Sequence, residues 1–449
     1  YLKNLLERRK DLRVVVSSAT MDAGMFSEYF DGAPVVNVEG RTFPVEDHYL
    51  PPLTDGEDLS RRVVRAVEWV TDMDSRGDLL IFMPGEREIR ECVDALEGRD
   101  LPATEILPLF ARLGLDAQER VFNTGGSNRR VVLATNVAET SVTIPGIVYV
   151  IDSGLARVSR WNPTRQIQRL QIEQISQASA RQRRGRCGRV SDGVCVRLYS
   201  EEVHEMSEEY TDPEIRRSSL AGGILRMKSL KLPDVREFPF LSPPSAKAIS
   251  EGHRTLEEVE AMAEDGSLTD MGYKLARLPL DPRLGRMLIE ASRRKVLDSV
   301  LVMVGGMSVM DVRERPQEKQ TEADNAHKKF NDAQSDFLTL LHIWSAVSTF
   351  RDKKGFKRNQ LRKYCKQNFL SFRRVLEWDQ IVRELSRVVR DTLKVKTAAL
   401  PTDRKQWGDE DEMHKSLMAG IPMQFGFWDK EKRTYRGTGG REFAIFPGS

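Results

Sequence analysis

The chain has 449 residues, of which 40% are hydrophobic and 31% are charged, and its formal net charge is only +3. This composition suits a globular protein of about three domains and excludes a disordered or collagen-like chain. Because the net charge is small, any nucleic-acid binding must come from local basic patches. The four cysteines show no C-x-x-C spacing, which argues against a zinc site or a disulfide framework.

The sequence has no signal peptide and no run of about 18 apolar residues. We therefore expect no membrane partner and a cytoplasmic location. Both ends of the sequence cut through predicted elements, which leads us to expect a fragment of a longer protein.

The first 36 residues are predicted to form a helix, a strand and a loop. Apolar spacing predicts a helix over Tyr1 to Arg9, and Leu12 to Val16 is predicted to be a buried strand. Ser18 and Thr20 follow at its carboxyl end. Taken alone, such hydroxyl groups more often cap a turn than serve a site.

The next region reads as an α/β domain. It contains a helix over Arg61 to Val70 and apolar runs at 79–82, 131–134 and 147–151, which are typical of buried parallel strands. The first strand leads into a turn at Gly85, whose N–H groups could contact phosphate or could simply start the next helix. The polar segment Thr135 to Ile144 follows the second strand, at the edge where such sheets bind ligands.

Leu155 to Ile172 is predicted to be a β-hairpin with a loop around Asn162. It carries Trp161 near its tip and several arginines, among them Arg157, Arg160 and Arg165. Two interpretations stay open: a basic nucleic-acid contact, or a surface hairpin whose charges are solvated.

The stretch from Gln177 to Arg189 holds five arginines within residues 181–189 and is predicted to be one continuous helix. At about 100° per residue, Gln182, Arg186 and Arg189 would share one face, with Arg183 to the side. Such a donor array suits a transferring phosphoryl group. The two interrupting glycines suggest a close approach to the backbone. A solvated basic run or a nucleic-acid patch is the alternative.

A new domain is expected from Thr211, beginning with a helix that runs through Leu220, and Leu268 to Leu275 is predicted to be strand and turn. From Pro282 to about Ala399 the pattern is strongly helical. Within it, Lys353 to Arg374 interleaves basic and aromatic residues, which fits either a nucleic-acid groove with stacking platforms or an amphipathic helix with core aromatics. Residues 395–415 are expected to be a polar linker, and Met418 to Phe446 alternates weakly like strands.

Three motifs together resemble motifs III, V and VI of the DEAH-box RNA helicases of superfamily 2. They are Ser18-Ala-Thr20, Thr135-Asn-Val-Ala-Glu-Thr-Ser141 and Gln182-Arg-Arg-Gly-Arg-Cys-Gly-Arg189. The resemblance covers essentially the whole chain. It implies an α/β RecA-like lobe with a parallel sheet of the P-loop NTPase type, followed by winged-helix, helical-bundle and OB-like parts. The implied boundaries are 1–39 (end of lobe 1), 40–210 (lobe 2), 211–281 (winged helix), 282–399 (ratchet-like bundle) and 400–449 (linker and incomplete OB-fold).

The resemblance also implies roles for single residues. Arg186 and Arg189 would be arginine fingers, and Gln182 would position the γ-phosphate or the attacking water. Ser141, Thr143 and Gly185 would face the nucleotide, and Ser18 and Thr20 would couple hydrolysis to RNA. RNA contacts are expected from Thr135, Asn136, Gly85, Arg157, Arg160 and Arg165.

ATP and Mg²⁺ are the implied cofactors, and the implied partner is RNA, free or within an RNP or ribosome. However, no G-x-x-x-x-G-K-[ST] occurs anywhere in the chain, so the phosphate-binding lysine is absent. Asp411-Glu-Met-His414 imitates the family's magnesium motif but stands far from its proper place, and chance explains it better. We expect an RNA helicase that moves 3′→5′, inactive as this fragment. The alternatives are a catalytically silent RNA-binding protein and a motor acting chiefly on DNA.

Overall fold

The computed structural model describes residues 1–18, 21–38, 43–54, 56–74, 76–99, 101–110, 113, 115–126, 128–140, 142–162, 167–316, 319–352, 355–395, 400–440 and 442–444. The chain forms two compact units. Unit 1 comprises Tyr1–Ser218 with Pro239–Pro243, and unit 2 comprises Ser219–Phe238 with Pro244–Ser449. None of the helices in the described ranges is long and apolar enough to cross a membrane.

Unit 1 alternates strands and helices. Its elements are α1 (Leu2–Arg8), α2 (Ala23–Tyr29), β1 (Val45–Tyr49), α3 (Leu59–Met73), β2 (Asp78–Phe82), α4 (Glu86–Glu97), β3 (Thr104–Leu109), α5 (Leu115–Phe122), β4 (Arg129–Ala134), β5 (Ile147–Asp152), β6 (Leu155–Asn162), β7 (Ile167–Gln174), α6 (Gln177–Arg184), β8 (Gly193–Arg197), α7 (Glu201–Glu205) and α8 (Glu214–Arg217).

Six strands form one parallel sheet in the order β1-β8-β5-β2-β4-β3. The three predicted apolar runs are its central strands β2, β4 and β5, and every residue of β4 is buried. Two apolar clusters pack against the sheet: α3 and α4 contribute to one, and α5 contributes Val121 to the other. Such cover on both faces explains why these strands are continuous apolar runs rather than alternating ones. The RecA-like α/β lobe is confirmed.

The predicted strand Leu12 to Val16 is wrong. The segment is irregular, it pairs with no strand among the described residues, and Val15 is 90% exposed. A strand needs a hydrogen-bonded neighbour and apolar cover, and no described segment of this chain supplies either.

The predicted continuous helix over Gln177 to Arg189 is also wrong, because α6 ends at Arg184. Its first turn is capped by the Ser176 hydroxyl, which accepts from the Ser179 N–H, and Gly185 is the carboxyl cap. Arg186 and Arg189 therefore lie in a turn rather than on the face of a helix. Their positions relative to Gln182 are therefore not set by a 3.6-residue helical period.

Unit 2 is mainly helical. Its elements are α9 (Ala221–Ser229), α10 (Ala246–Glu258), α11 (Asp270–Ala276), α12 (Pro282–Arg293), α13 (Leu297–Ser308), α14 (Gln320–His327), α15 (Asp336–Ser348), β9 (Arg351–Asp352), β10 (Gly355–Phe356), α16 (Arg358–Gln367), α17 (Phe372–Leu393), α18 (Glu410–Gly420), β11 (Gly426–Asp429), β12 (Thr434–Gly437) and β13 (Glu442–Phe443). The last three strands form an antiparallel sheet. The strongly helical character predicted after Pro282 is confirmed.

Several boundaries differ from the prediction. The helix expected from Thr211 through Leu220 is two separate helices, α8 and α9, because the backbone is extended at Ser218. The segment Leu268 to Leu275, predicted as strand and turn, is mostly helix α11, which the Thr269 hydroxyl caps by accepting from the Gly272 N–H.

The predicted linker 395–415 contains the first half of α18, which packs against α12. Trp407, Met413 and Leu417 are almost fully buried, and these few apolar side chains hold an otherwise polar segment. Arg294 of α12 donates to Glu412 of α18. Arg294 also donates to Glu290, where hydrogen bonds from Arg293, Arg286 and Arg294 lower the pKa to about 2 against the cost of burial.

Candidate functional site

The segment between β4 and β5 crosses from one edge of the sheet to the other. Thr135 follows β4 at the carboxyl edge, where its N–H donates to Leu109 O. Thr143 lies near the opposite edge, because its hydroxyl oxygen is 3.5 Å from Arg189 Nη1 in the turn that leads to β8. The predicted site residues therefore form two groups at opposite edges of the sheet.

Arg183 lies completely inside unit 1, between these groups. Its Nη1 donates to Asp152 at 2.7 Å, its Nε to Glu139 at 3.1 Å, and both Nη groups to Leu155 O at 3.2 Å. The guanidinium also lies 4.9 Å from the centre of the Phe82 ring. Burial alone would lower the pKa of Arg183, but the charges of Asp152 and Glu139 outweigh it and raise that pKa. Arg183 is thus a structural residue.

Glu139 connects the segment after β4 to α6 and to the turn beyond it. Its carboxylate accepts hydrogen bonds from Ser179 and Arg183, and its backbone carbonyl accepts from Arg186. One residue therefore fixes both the helix and the arginine that follows it. Sequence reasoning missed Glu139 and Asp152. A buried arginine needs carboxylate partners, and that requirement was the signal available.

Arg186 is 8% exposed and is held by carbonyl groups rather than carboxylates. Its Nε and Nη2 donate to Glu139 O, and its Nη1 donates to Val142 O at 2.8 Å. Among the described residues no carboxylate forms an ion pair with it. A guanidinium has five N–H donors, so two remain for a ligand and the positive charge is not neutralised.

Arg189 lies beside Arg186 and is exposed. Its Nε donates to Gly185 O at 3.0 Å. Burial lowers the pKa of Arg186, and the positive charge of Arg189 lowers it further. Two guanidiniums close enough to repel each other, without a carboxylate between them, fit an anionic ligand such as a phosphate.

The two glycines of this turn differ in their role. Gly188 has φ +70°, and a Cβ there would lie 2.5 Å from Val45 Cγ2 and 2.9 Å from Phe43 O. The close approach predicted from the glycines is therefore made by the start of β1. At Gly185 a Cβ would lie 3.5 Å from the nearest carbonyl oxygens, so its role toward a nucleotide stays a prediction.

At the carboxyl edge, Gly85 is buried beneath Arg157. A Cβ on Gly85 would lie 2.9 Å from Arg157 Cζ, and Arg157 Nη2 donates to Glu88 at 3.3 Å. The Gly85 backbone is therefore covered by a side chain, and a phosphate reaches it only after Arg157 moves. Next to it, Thr135 is half-buried and Asn136 is exposed.

The predicted hairpin is β6 paired with β7 in antiparallel register. Arg160, two residues before the loop end of β6, donates to Glu173 at 2.6 Å and to Asp212 at 3.1 Å, and the hydrogen bond to Glu173 is the main reason its pKa is raised. This pairing makes Arg160 structural. On the partner strand, Leu170 and Ile172 are 68% and 45% exposed.

Three predicted residues, Thr20, Ser141 and Arg165, lie outside the described residues. Ser18 is exposed, and Gln182 is half-buried on α6. For Mg²⁺, the described part of the chain offers no group of three His, Cys, Asp or Glu side chains that could hold a metal. The residues present therefore do not fit a metal centre of their own.

Comparisons with known proteins identify similar domains, relatives and folds. The helicase conserved C-terminal domain matches residues 61–191, and the ratchet-like helicase associated domain (HA2) matches residues 281–340. The chain is 44% identical to ATP-dependent RNA helicase HrpA of Escherichia coli over 457 aligned residues, covering all of this chain and 34% of that protein. The HrpA homolog of Haemophilus influenzae gives the same identity and coverage. The chain thus spans about a third of the length of these curated relatives.

Among solved structures, the crystal structure of the E. coli DExH-box NTPase HrpB is similar, with a TM-score of 0.73 and 26% identity. The match covers 98% of this chain and 47% of that one.

Proposed function

We propose that the chain works as part of an ATP-dependent RNA helicase of the DEAH-box family, because it is similar along its whole length to the HrpA helicases and matches the helicase C-terminal and HA2 domains. It supplies the second RecA-like lobe and the helical parts of the motor. The phosphate-binding loop and the magnesium carboxylates come from a first lobe outside these 449 residues. The motor advances along single-stranded RNA in the 3′→5′ direction.

The observation that carries this proposal is the unneutralised Arg186. A buried arginine is normally paired with a carboxylate, and Arg183, three residues earlier, has two of them. Arg186 has only carbonyl partners and a second guanidinium nearby. An anion that arrives from another lobe completes such a site. In a phosphoryl transfer, charge stabilisation of this kind supplies most of the rate enhancement.

The structure also offers a physical connection between the two groups of site residues. We propose that Thr135 and Asn136 contact the RNA backbone, and that Arg186, Arg189, Thr143, Gly185 and Gln182 face the nucleotide. Glu139 lies in the segment that joins these groups and forms hydrogen bonds with both α6 and Arg186. A displacement of this segment at the RNA-facing edge of the sheet would therefore move Arg186 at the nucleotide-facing edge. We also propose that Ser18 and Thr20 couple hydrolysis to RNA and that Ser141 faces the nucleotide, as the family resemblance implies.

The test is RNA-stimulated ATP hydrolysis. We expect full-length protein to hydrolyse ATP faster with RNA than with DNA of the same length. The 449-residue chain alone is expected to give no stimulated turnover, because it lacks the phosphate-binding lysine. Turnover by the purified chain that disappears in Arg186→Ala would contradict the proposed division of labour. Full-length protein without RNA-stimulated turnover would favour a silent RNA-binding protein.

A second experiment concerns the hairpin β6–β7. We propose that its exposed apolar side chains separate RNA strands. In full-length protein, replacing Leu170 and Ile172 by Ser is expected to reduce duplex unwinding at least about tenfold while RNA-stimulated ATP turnover stays within about twofold, a difference of roughly 1.4 kcal/mol in the unwinding step alone.

The matched control for the hairpin is Arg160→Ala, which breaks the ion pairs that join β6 to Glu173 and to Asp212. This variant is expected to reduce thermal stability and both activities together. Equal loss of ATP turnover and unwinding in the Leu170 and Ile172 variant would mean that the hairpin only supports the fold.

A further inference from the structure

Helix α16 carries a basic surface that the proposed motor site does not use. From 353 to 376 the sequence contains nine Lys or Arg residues and no Asp or Glu. Leu361 and Cys365 of α16 are buried in the core of unit 2. Arg358, Arg362 and Lys366 are exposed, and at four-residue spacing they lie on one stripe of the helix. We call these three residues the basic stripe.

No ion pair joins the basic stripe to a carboxylate among the described residues, whereas some exposed arginines of other helices have such a partner. Arg87 pairs with Glu91 at 2.8 Å, and Arg383 pairs with Asp379 at 2.9 Å. Within the described part of the chain, no residue of α16 forms an ion pair. Like charges four residues apart on a helix repel each other and destabilise it. The stripe contains two such pairs, so the unbound helix retains a repulsion that an anion would relieve.

The aromatic residues of this region are not stacking platforms. Phe356, Tyr364 and Phe372 are half-buried and pack against the core. Arg362 instead lies over the Phe372 ring, 5.1 Å from its centre, which restrains the guanidinium at the surface. The interpretation as a groove with stacking platforms is therefore wrong for these three aromatics, while the exposed charges remain.

The surroundings of the stripe favour a phosphate backbone over a protein partner. Protein interfaces have an apolar centre and are depleted in lysine. Between Met310 and Met418, no described residue is an exposed large hydrophobic side chain. The three cations lie in a row, about 12 Å from first to last at 1.5 Å per residue. Such a row suits a linear polyanion that is bound through its phosphates and not through its bases.

We infer that the basic stripe of α16 is a sequence-independent binding site for the phosphate backbone of RNA. The choice of RNA rests on the proposed function, but the site itself requires no ATP turnover. It gives the motor an additional contact with its substrate, made through phosphates alone.

The test uses the 449-residue chain and a fluorescent 20-nucleotide oligouridine, with binding measured by anisotropy between 50 and 200 mM KCl. Arg358→Gln, Arg362→Gln and Lys366→Gln are combined in one variant. Losing three phosphate contacts is expected to reduce the slope of log K against log salt by about 2, and to weaken binding by up to about 100-fold at 0.1 M salt. The thermal midpoint should stay the same or rise, because repulsion has been removed.

The matched control combines Arg383→Gln, Arg387→Gln and Arg390→Gln on α17, which removes the same charge from the same unit. These arginines are exposed and stand among acidic residues such as Asp379 and Asp391. Their removal is expected to change the slope by less than about 0.7, the value of one contact.

Equal slope changes in both variants would overturn the inference in favour of net charge alone. An unchanged slope in the α16 variant would also overturn the inference. So would an α16 variant that loses its binding to polyglutamate but keeps its affinity for RNA. If full-length protein lacks RNA-stimulated ATP turnover but the α16 variant still loses RNA affinity, the proposed function fails and the binding site stands.

Discussion

Arg183→Ala is expected to lower the free energy of unfolding of unit 1 by about 3–5 kcal/mol, the usual cost of removing one partner from a buried ion pair. The reason is that the substitution leaves a buried carboxylate without its ion-pair partner. Asp152 is 0% exposed, and without Arg183 its carboxylate loses its only ion-pair partner among the described residues. Since domains are stable by only about 5–15 kcal/mol, this loss is large.

The measurement is hydrogen exchange of β5 and α6 peptides in increasing urea, which reports unit 1 separately from unit 2. Arg181→Ala is the control: Arg181 is on the same helix and exposed, and its loss is expected to cost no more than about 0.5 kcal/mol. A double variant, Arg183→Ala with Asp152→Ala, should recover part of the stability because no charge is left buried alone. Similar exchange in Arg183→Ala and Arg181→Ala would show that the buried pair contributes little.

This expectation replaces one drawn from the helical pattern. That pattern places Arg183 to the side of the predicted functional face, and an arginine there would be expected to be dispensable for the fold. The structure shows otherwise, because Arg183 is fully buried with two carboxylates. Spacing along a helix gives the direction of a side chain but not what it meets. Asp152 and Glu139 are single acidic residues without any pattern of their own.

The sheet was predictable because strands that are buried on both faces of a parallel sheet have continuous apolar sequences. The same signal failed at Leu12 to Val16, since an apolar run does not tell whether a neighbouring strand exists. Helix α18 was missed for the opposite reason. Its buried large apolar residues are Met413 and Leu417, and so few apolar residues in a polar segment are typical of a linker.

The end of α6 at Arg184 could have been predicted from Gly185, since glycine is common at the carboxyl end of a helix. The prediction of a longer helix treats this glycine as a sign of a close approach to the backbone, which hides its role as a cap. The unexpected end of the helix changes where Arg186 lies in the candidate site. Arg186 points where Glu139 O and Val142 O hold it, and no helical period could have predicted that.

Arg186→Ala in full-length protein is expected to reduce ATP turnover by at least about 100-fold. An arginine finger is worth about 10³ to 10⁵ in kcat in other phosphoryl-transfer enzymes, and Arg189 is expected to compensate in part. Arg189→Ala should have an effect of the same kind. Affinity for RNA without nucleotide should change little, because neither guanidinium is at the edge that carries Thr135 and Asn136.

Arg186→Lys should fail nearly as badly as Arg186→Ala, and the contacts explain why. Arg186 uses three N–H groups on two backbone carbonyls and still has two donors left. An ammonium has three donors in all and no planar fork, so it cannot hold both carbonyls and also clamp a phosphate. Arg189 donates to Gly185 O and, over 3.5 Å, to the Thr143 hydroxyl, so fewer of its donors are used to hold the side chain in place.

The comparison is a set of steady-state ATPase measurements with saturating RNA on the variants at 181, 186 and 189, with thermal unfolding of each followed in parallel. Arg181→Ala removes the same charge from an exposed position and should keep turnover within about twofold, or roughly 0.4 kcal/mol in the barrier. Unfolding temperatures separate lost catalysis from lost packing, since Arg186→Ala also leaves two carbonyls without a donor. If all three alanine variants retain similar kcat values and lose RNA affinity in parallel, the arginines form a generic basic surface and the phosphate clamp does not exist.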